Sequence, residues 1–253
     1  MTKYIFITGA TSGFGKACAA LFAKNGFSLV ITGRRADRLA QLKQELESNY
    51  AIDIQTLNFD VRFEEEVNLA VASLPEDVKN KLSILINNAG LAVGRGPIQD
   101  GLTDDWNRMI DTNVKGLLYV SKAVIPFLKA QNKGHIFNIA SIAGKEVYAD
   151  GNVYCASKHA VDALSKAMRI DLLPFGIKVS NIAPGAADTE FSLVRFKGDE
   201  QTAKNVYHGF EPLQAEDIAE IIYFAATRPA HVTLNDITIM PTAQANASTI
   251  KRG

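Results

Sequence analysis

The sequence is short of several features that would direct it elsewhere. Its 253 residues include two cysteines, Cys18 and Cys155, far apart and outside any CxxC or Cys/His cluster. Neither a disulfide framework nor a zinc site is expected, and isolated thiols suit a reducing compartment, where cysteine acts mostly as a small buried hydrophobe. Net charge is missing too, since 27 Lys and Arg balance 27 Asp and Glu. Without the basic footprint that grips a phosphate backbone, nucleic acid is excluded as a partner. The four histidines, His135, His159, His208 and His231, form no metal-ligand grouping, so no metal is expected. No stretch nears the roughly 18 apolar residues of a membrane span. The opening apolar run, Tyr4-Ile-Phe-Ile7, meets Gly9 well before the length of a signal-peptide core. A soluble cytoplasmic domain is the expectation.

What is present is the ordinary balance of a chain with a substantial core, 47% hydrophobic and 21% charged residues. Strand-like apolar runs stand at residues 4–8, 27–32, 54–59, 82–87, 135–140, 177–183 and 237–240. Helical patterns fall between them. One has Ala17, Leu21 and Phe22 on one side and stops at Asn25-Gly26; another carries Leu39, Leu42 and Leu46. Further helical segments cover residues 64–74, 103–130, 152–173 and 215–227. This alternation predicts an α/β fold: one Rossmann-type domain over residues 1–253, with a doubly wound, mostly parallel sheet flanked by helices. The runs are short and continuous, as expected when both faces of a sheet are covered. Residues 91–101, 184–214 and the tail after Met240 read as irregular. In an open α/β sheet ligands bind beyond the carboxyl ends of the strands, so these segments are candidate walls of a site.

The first turn, Thr8-Gly-Ala-Thr-Ser-Gly-Phe-Gly15, spaces its glycines as GxxxGxG between the first strand and first helix. Gly9, Gly13 and Gly15 let the backbone approach a ligand, and the helix start offers free N–H groups to a pyrophosphate. Thr11, Ser12 and Phe14 lie in the same cradle. Three glycines alone signal only a tight turn; after the first strand of a βαβ pattern they indicate a dinucleotide. The second strand ends Thr32-Gly-Arg-Arg35, with Gly33 where an acid for a ribose 2′-hydroxyl would sit. Arg34 and Arg35 suit a 2′-phosphate through charge-assisted bonds, which selects NADP(H) over NAD(H). Asp60, followed by Val61, closes the third strand and could accept from an adenine amine or serve as an ordinary N-cap.

Tyr154-Cys-Ala-Ser-Lys158 puts a phenol and an ammonium at i and i+4, on one helix face. A nearby cation favours phenolate, so Lys158 is expected to lower the Tyr154 pKa and fit it for proton exchange with an alcohol or carbonyl oxygen. Ser141, just past the strand ending at Ala140, could hold that oxygen. Asn113, inside a long helix, could carry a water linking Lys158 to solvent. Singly each has a plain alternative: a chance Tyr/Lys pair, a loop cap, a satisfied polar residue.

In this order on this pattern, the motifs resemble the short-chain dehydrogenase/reductase superfamily over essentially the whole chain. The matching elements are the Thr8–Gly15 turn, Asn87-Asn-Ala-Gly90, Asn113, Ser141, Tyr154 with Lys158, and Pro184-Gly185. The resemblance implies a catalytic tetrad of Ser141, Tyr154, Lys158 and Asn113. It also implies cofactor contacts from Asn87, Ala89, Gly90, Pro184 and Gly185, a nicotinamide contact from Thr189, and a homotetramer.

For the substrate, Arg195 lies among apolar residues in Phe191-Ser-Leu-Val-Arg-Phe-Lys-Gly-Asp199, where it suits a carboxylate or sulfonate or else covers apolar surface with its stem. Tyr148 could add a hydroxyl. Gln244, in the polar tail, could reach a pocket, its own or a neighbouring subunit's, or belong to a frayed terminus. Thr32-Gly-Arg-Arg35, Gly151-Asn-Val-Tyr154, Thr189-Glu-Phe191 and Val194-Arg-Phe-Lys-Gly-Asp199 further resemble one branch of the family. That branch comprises NADP-dependent 3-hydroxy acid dehydrogenases of serine, allo-threonine or 3-hydroxypropionate, together with sulfoacetaldehyde reductases. The resemblance implies a small anionic aldehyde and its alcohol as substrates. The alternatives are a reductase of bulkier apolar ketones and a non-catalytic NADPH-binding sensor, which would have no need of Ser141, Tyr154 and Lys158.

Overall fold

The computed structural model describes residues 3–253, the side chains of residues 203 and 204 aside. In chain order its main elements are β1 (Tyr4–Ile7), α1 (Gly13–Lys24), β2 (Ser28–Gly33), α2 (Ala36–Asn49), β3 (Ile54–Asn58), α3 (Glu64–Ala72), α4 (Glu76–Lys79) and β4 (Leu82–Asn87). There follow α5 (Thr103–Ile110), α6 (Leu117–Ala130), β5 (Gly134–Ile139), α7 (Asn152–Leu172), β6 (Ile177–Pro184), α8 (Glu190–Arg195), α9 (Glu200–Asn205), α10 (Ala215–Ala226) and β7 (Asp236–Ile239). The strands make one seven-stranded sheet in the order β3-β2-β1-β4-β5-β6-β7, every neighbouring pair parallel.

Side-chain alternation along β1 supplies two cores at once. Ile5 and Ile7 join Phe22 of α1, Leu39 and Leu42 of α2, and Ile218 of α10 on one face. Tyr4 and Phe6 join Val67 of α3, Val120 of α6 and Val161 of α7 on the other. The strand order reverses beside β1, and there the strand ends are level: Ile7 pairs with Ile31 of β2 and Ile86 of β4. Gly9, Gly33 and Asn88 therefore emerge together at the carboxyl edge, the switch point where open α/β sheets bind ligands.

Two features differ from the sequence expectation. The segment 184–214 is not wholly irregular, because it holds α8 and α9. Six residues are fewer than two turns, too short for a helical period to emerge, and α8 is started by Thr189, whose hydroxyl accepts from Phe191 N. The helical stretch 103–130 is interrupted by a π-turn, Asp111–Gly116. There Gly116 backs on to Val61, where a Cβ would collide.

Candidate active site

The carboxyl edge opens into a cavity of about 670 Å³ that runs from Arg34, Arg35 and Asp60, past Gly9–Gly13, to Ser141, Tyr154 and Lys158. At its floor the chain leaves β1 through Gly9 (φ +65°) and enters α1 through Gly13 (φ +49°), both in the left-handed region that favours glycine. A Cβ at Gly15 would collide with the Gly9 carbonyl oxygen and the Asn88 amide, so that glycine is required by close packing. No side chain caps α1 and no acid lies in its first turn, so its leading N–H groups are free for an anion. This cradle fits a pyrophosphate.

Arg34 and Arg35 both line the far end of the cavity. Arg35 donates to Thr11 Oγ1 (2.9 Å), Ser12 Oγ (3.2 Å) and Glu190 Oε2 (3.2 Å). Arg34 lies 3.5 Å from Asp60, whose carboxylate also accepts from Arg62 at 2.7 Å. Burial is the largest single influence on the Asp60 carboxyl and pushes it up, but the Arg62 hydrogen bonds with the Arg62 and Arg34 charges together outweigh it and hold the carboxyl below its usual range. Val61, Ala89, Gly90, Pro184, Gly185 and Thr189 line the same cavity, with Phe14.

Asn87 does not line the cavity. Its amide is buried and donates to Ser121 Oγ and Asn138 Oδ1, both at 2.9 Å, inside the protein. The residue at the cavity is Asn88, which sequence reasoning passed over although it lay within the quoted motif. Alternation along β4 turns Asn87 toward the core; Asn88 has left the strand and its amide donates to the Thr8 carbonyl at 2.8 Å.

At the other end Tyr154 and Lys158 occupy one face of α7, both buried. Ser141, just past β5, donates to the Pro184 carbonyl at 3.4 Å and also caps the short turn Ile142–Gly144, accepting from Ala143 N at 3.1 Å. It is a cap and a site residue together. Lys158 differs from expectation. Its Nζ donates to the Ile139 carbonyl at 2.8 Å and lies 6.0 Å from the centre of the Tyr154 ring. The phenol is pushed above its ordinary range, mainly by burial and next by Tyr148, while the neighbouring Ser141 hydroxyl and the Arg195 cation pull it down. Burial pushes Lys158 down to about 8. Desolvation thus outweighs the expected pull of Lys158 on Tyr154.

Asn113 lies in the π-turn, and its amide uses both N–H donors and one lone pair of its oxygen. Nδ2 donates to the Leu91 carbonyl (2.8 Å) and Ser157 Oγ (2.9 Å), and Oδ1 accepts from Leu91 N (2.8 Å). The side chain is a brace between loop 91–101 and α7.

Arg195, at the end of α8, sits 5.5 Å over the Tyr148 ring and 5.7 Å over the Tyr154 ring. Its Nε is buried and has no hydrogen-bond partner among the described residues. Phe191, from the same helix, packs on Tyr154 with ring centres 5.6 Å apart. Six residues gave no period from which to single Phe191 out. Gln244 is buried, not frayed, and lines the cavity of its own chain. Its Oε1 accepts from Ala186 N (2.7 Å) and Nε2 donates to the Asn246 carbonyl (3.0 Å), which leaves one N–H for a ligand. The tail beyond it folds back over the site, with Ala247, Ser248, Ile250 and Arg252 in the wall.

A family model described as short chain dehydrogenase matches residues 3–199. Sulfoacetaldehyde reductase 2 of Chromohalobacter salexigens is 46% identical over 246 residues, 97% of this chain and 96% of the relative. The NADP-dependent 3-hydroxy acid dehydrogenase YdfG of Escherichia coli (strain K12) is 43% identical over 244 residues, 96% of each chain. Among solved structures, the closed form of serine dehydrogenase complexed with NADP+ superposes with a TM-score of 0.92 at 42% identity, covering 99% of this chain and all of that one.

Proposed function

This chain belongs to the short-chain dehydrogenase family, and from that premise we propose that it is an NADP(H)-dependent oxidoreductase that interconverts a small anionic aldehyde and its alcohol. The substrates meant are sulfoacetaldehyde and isethionate, or malonic semialdehyde and 3-hydroxypropionate, with serine and allo-threonine as further alcohols. The observation that carries the anion is the buried Nε of Arg195, unpartnered beside Tyr148 and Tyr154. A buried donor without an acceptor is costly, and an anionic substrate would supply that acceptor. The relatives act on such compounds by their names, which supports the same reading.

The uncapped start of α1 would hold the pyrophosphate, Arg34 and Arg35 the 2′-phosphate, and Asn88–Gly90, Lys158 and Thr189 the nicotinamide end. Hydride transfer is the chemistry that a bound nicotinamide supplies. Ser141 orients the carbonyl oxygen. Tyr154, whose proton is held firmly by burial, donates it to that oxygen in reduction and recovers it in alcohol oxidation. Lys158, as a cation at neutral pH, stabilises the phenolate left behind. Asn113 positions loop 91–101 against α7. Arg195, Tyr148 and the remaining N–H of Gln244 would take the carboxylate or sulfonate. The two cysteines, both free and buried, fit the cytoplasm. The homotetramer rests on the family resemblance, and the exposed Ile170 on α7 and Leu173 just beyond it are apolar surface available to such an interface.

Steady-state kinetics with sulfoacetaldehyde, malonic semialdehyde, serine, allo-threonine and a neutral aldehyde of similar size test the assignment. Arg195→Ala should lower kcat/KM for the anionic substrates by about 1.5–3 kcal/mol, the scale of a hydrogen bond to a charged group, and leave the neutral aldehyde nearly unchanged. Equal losses on both would overturn the anion; cofactor binding without turnover of any compound would overturn the enzyme.

A further inference from the structure

The short helix α8 joins two charged sites. Its last residue, Arg195, stands at the substrate end, while its first, Glu190, reaches the arginines of the cofactor end. Glu190 Oε2 accepts from Arg35 at 3.2 Å, and Arg38 donates to Oε1 and Oε2 at 2.9 and 3.2 Å. Arg35 in turn holds Thr11 and Ser12 in the phosphate turn. Thr189, the cap of α8, abuts that turn closely enough that a Cβ on Gly13 would touch it at 3.4 Å. A carboxylate from the substrate lid thus bridges Arg38 and the Arg35 guanidinium that would receive a 2′-phosphate.

We propose that Glu190 is an internal competitor for the cofactor's 2′-phosphate, holding Arg35, with Arg38 as its second partner, until that group displaces it, and so sets how strongly Arg35 discriminates NADPH from NADH. This rests on the NADP(H) reading above. Both anions need the same guanidinium donors. A carboxylate brings one charge and two acceptor atoms, whereas a phosphate monoester brings nearly two charges and three terminal oxygens. Being tethered, the carboxylate acts at a high effective concentration and keeps free anions off the pair. A 2′-phosphate carried by an anchored dinucleotide is tethered as well, and has the larger charge. A 2′-hydroxyl has no charge with which to displace a carboxylate, so NADH would bind with Glu190 still in place. The same helix carries Phe191 and Arg195, so the exchange happens on the element that closes over the substrate.

Calorimetric titration of the full-length protein with adenosine 2′,5′-bisphosphate and adenosine 5′-monophosphate separates this contribution from catalysis. Glu190 is on the surface and Glu190→Gln keeps its shape while removing its charge; Glu190→Ala is the second variant. Both should bind the bisphosphate about three- to tenfold more tightly than the wild type, the scale of two exposed ion pairs, with 5′-monophosphate binding within twofold. Unchanged or weaker bisphosphate binding in the variants overturns the competitor role and makes Glu190 a support for the arginines. A wild type that binds the two nucleotides equally overturns the NADP(H) reading itself, a failure seen without either variant.

Discussion

At the scale of the residue, burial drives the two central side chains in opposite directions: it holds the proton on Tyr154 and loosens the one on Lys158, to about 8. The sign of the pH dependence follows. In the proposed mechanism reduction uses the protonated phenol, which Tyr154 keeps throughout the neutral range, and the ammonium of Lys158, which is lost as pH rises through about 8. Reduction should therefore be flat below that pH and decline above it. Oxidation needs the phenol without its proton and should climb with pH over the same range. Rate profiles in both directions check this; a reduction rate that climbs past pH 8 would show that the Lys158 charge is not used. The i, i+4 spacing of the pair was legible in the sequence, because a helix face follows from number alone. The balance of desolvation against charge was not, since it depends on what tertiary packing puts around the phenol.

At the scale of the element, the π-turn and α8 do the positioning. The Asn113 amide ties Leu91 to α7 with every bond made in the buried interior. Asn113→Ala leaves the N–H and C=O of Leu91 and the Ser157 hydroxyl short of a partner. It should destabilise the protein by about 1–3 kcal/mol, the cost of stranding buried polar groups. Chemical denaturation with unchanged m-value checks it, and a variant as stable as the wild type would show that water replaces the amide. The long helices were legible because each repeats its apolar period, and the seven strands because each is a short apolar run set between helix-length segments. The short α4, α8 and α9 and the π-turn were not. Such pieces are held by particular partners, as Tyr207 holds the α8 segment by donating to the Ala187 carbonyl at 2.6 Å.

At the scale of the whole molecule, the C-terminal tail closes the site from which it is most distant in sequence. Arg252 donates to the carbonyls of His208 and Val206, Ala247 N donates to Glu146, and Gly253 N to Gly209, so the tail clamps the segment after α9. Deleting residues 245–253 should raise KM for the aldehyde several-fold, weaken NADPH binding much less, and speed proteolysis between residues 196 and 210. Those three measurements belong together, and an unchanged KM would mean that the tail only covers the surface. In the sequence the tail was legible only as a candidate wall, because a polar, aperiodic segment reads the same whether it frays or docks.

The sequence by itself determined the parallel α/β fold, the phosphate-binding first turn, the Tyr154–Lys158 spacing and the arginines after the second strand. Each is a local pattern whose physical meaning needs only chain geometry. Tertiary structure alone decided that Asn88 and not Asn87 faces the cavity, that the Asn113 amide is a brace, and that burial sets the proton affinity of Tyr154. It also brought Glu190 to Arg35, 155 positions away, and left Arg195 Nε buried without an acceptor. Those outcomes depend on which groups meet across the fold and on how much water is left between them, and no spacing along the chain encodes either.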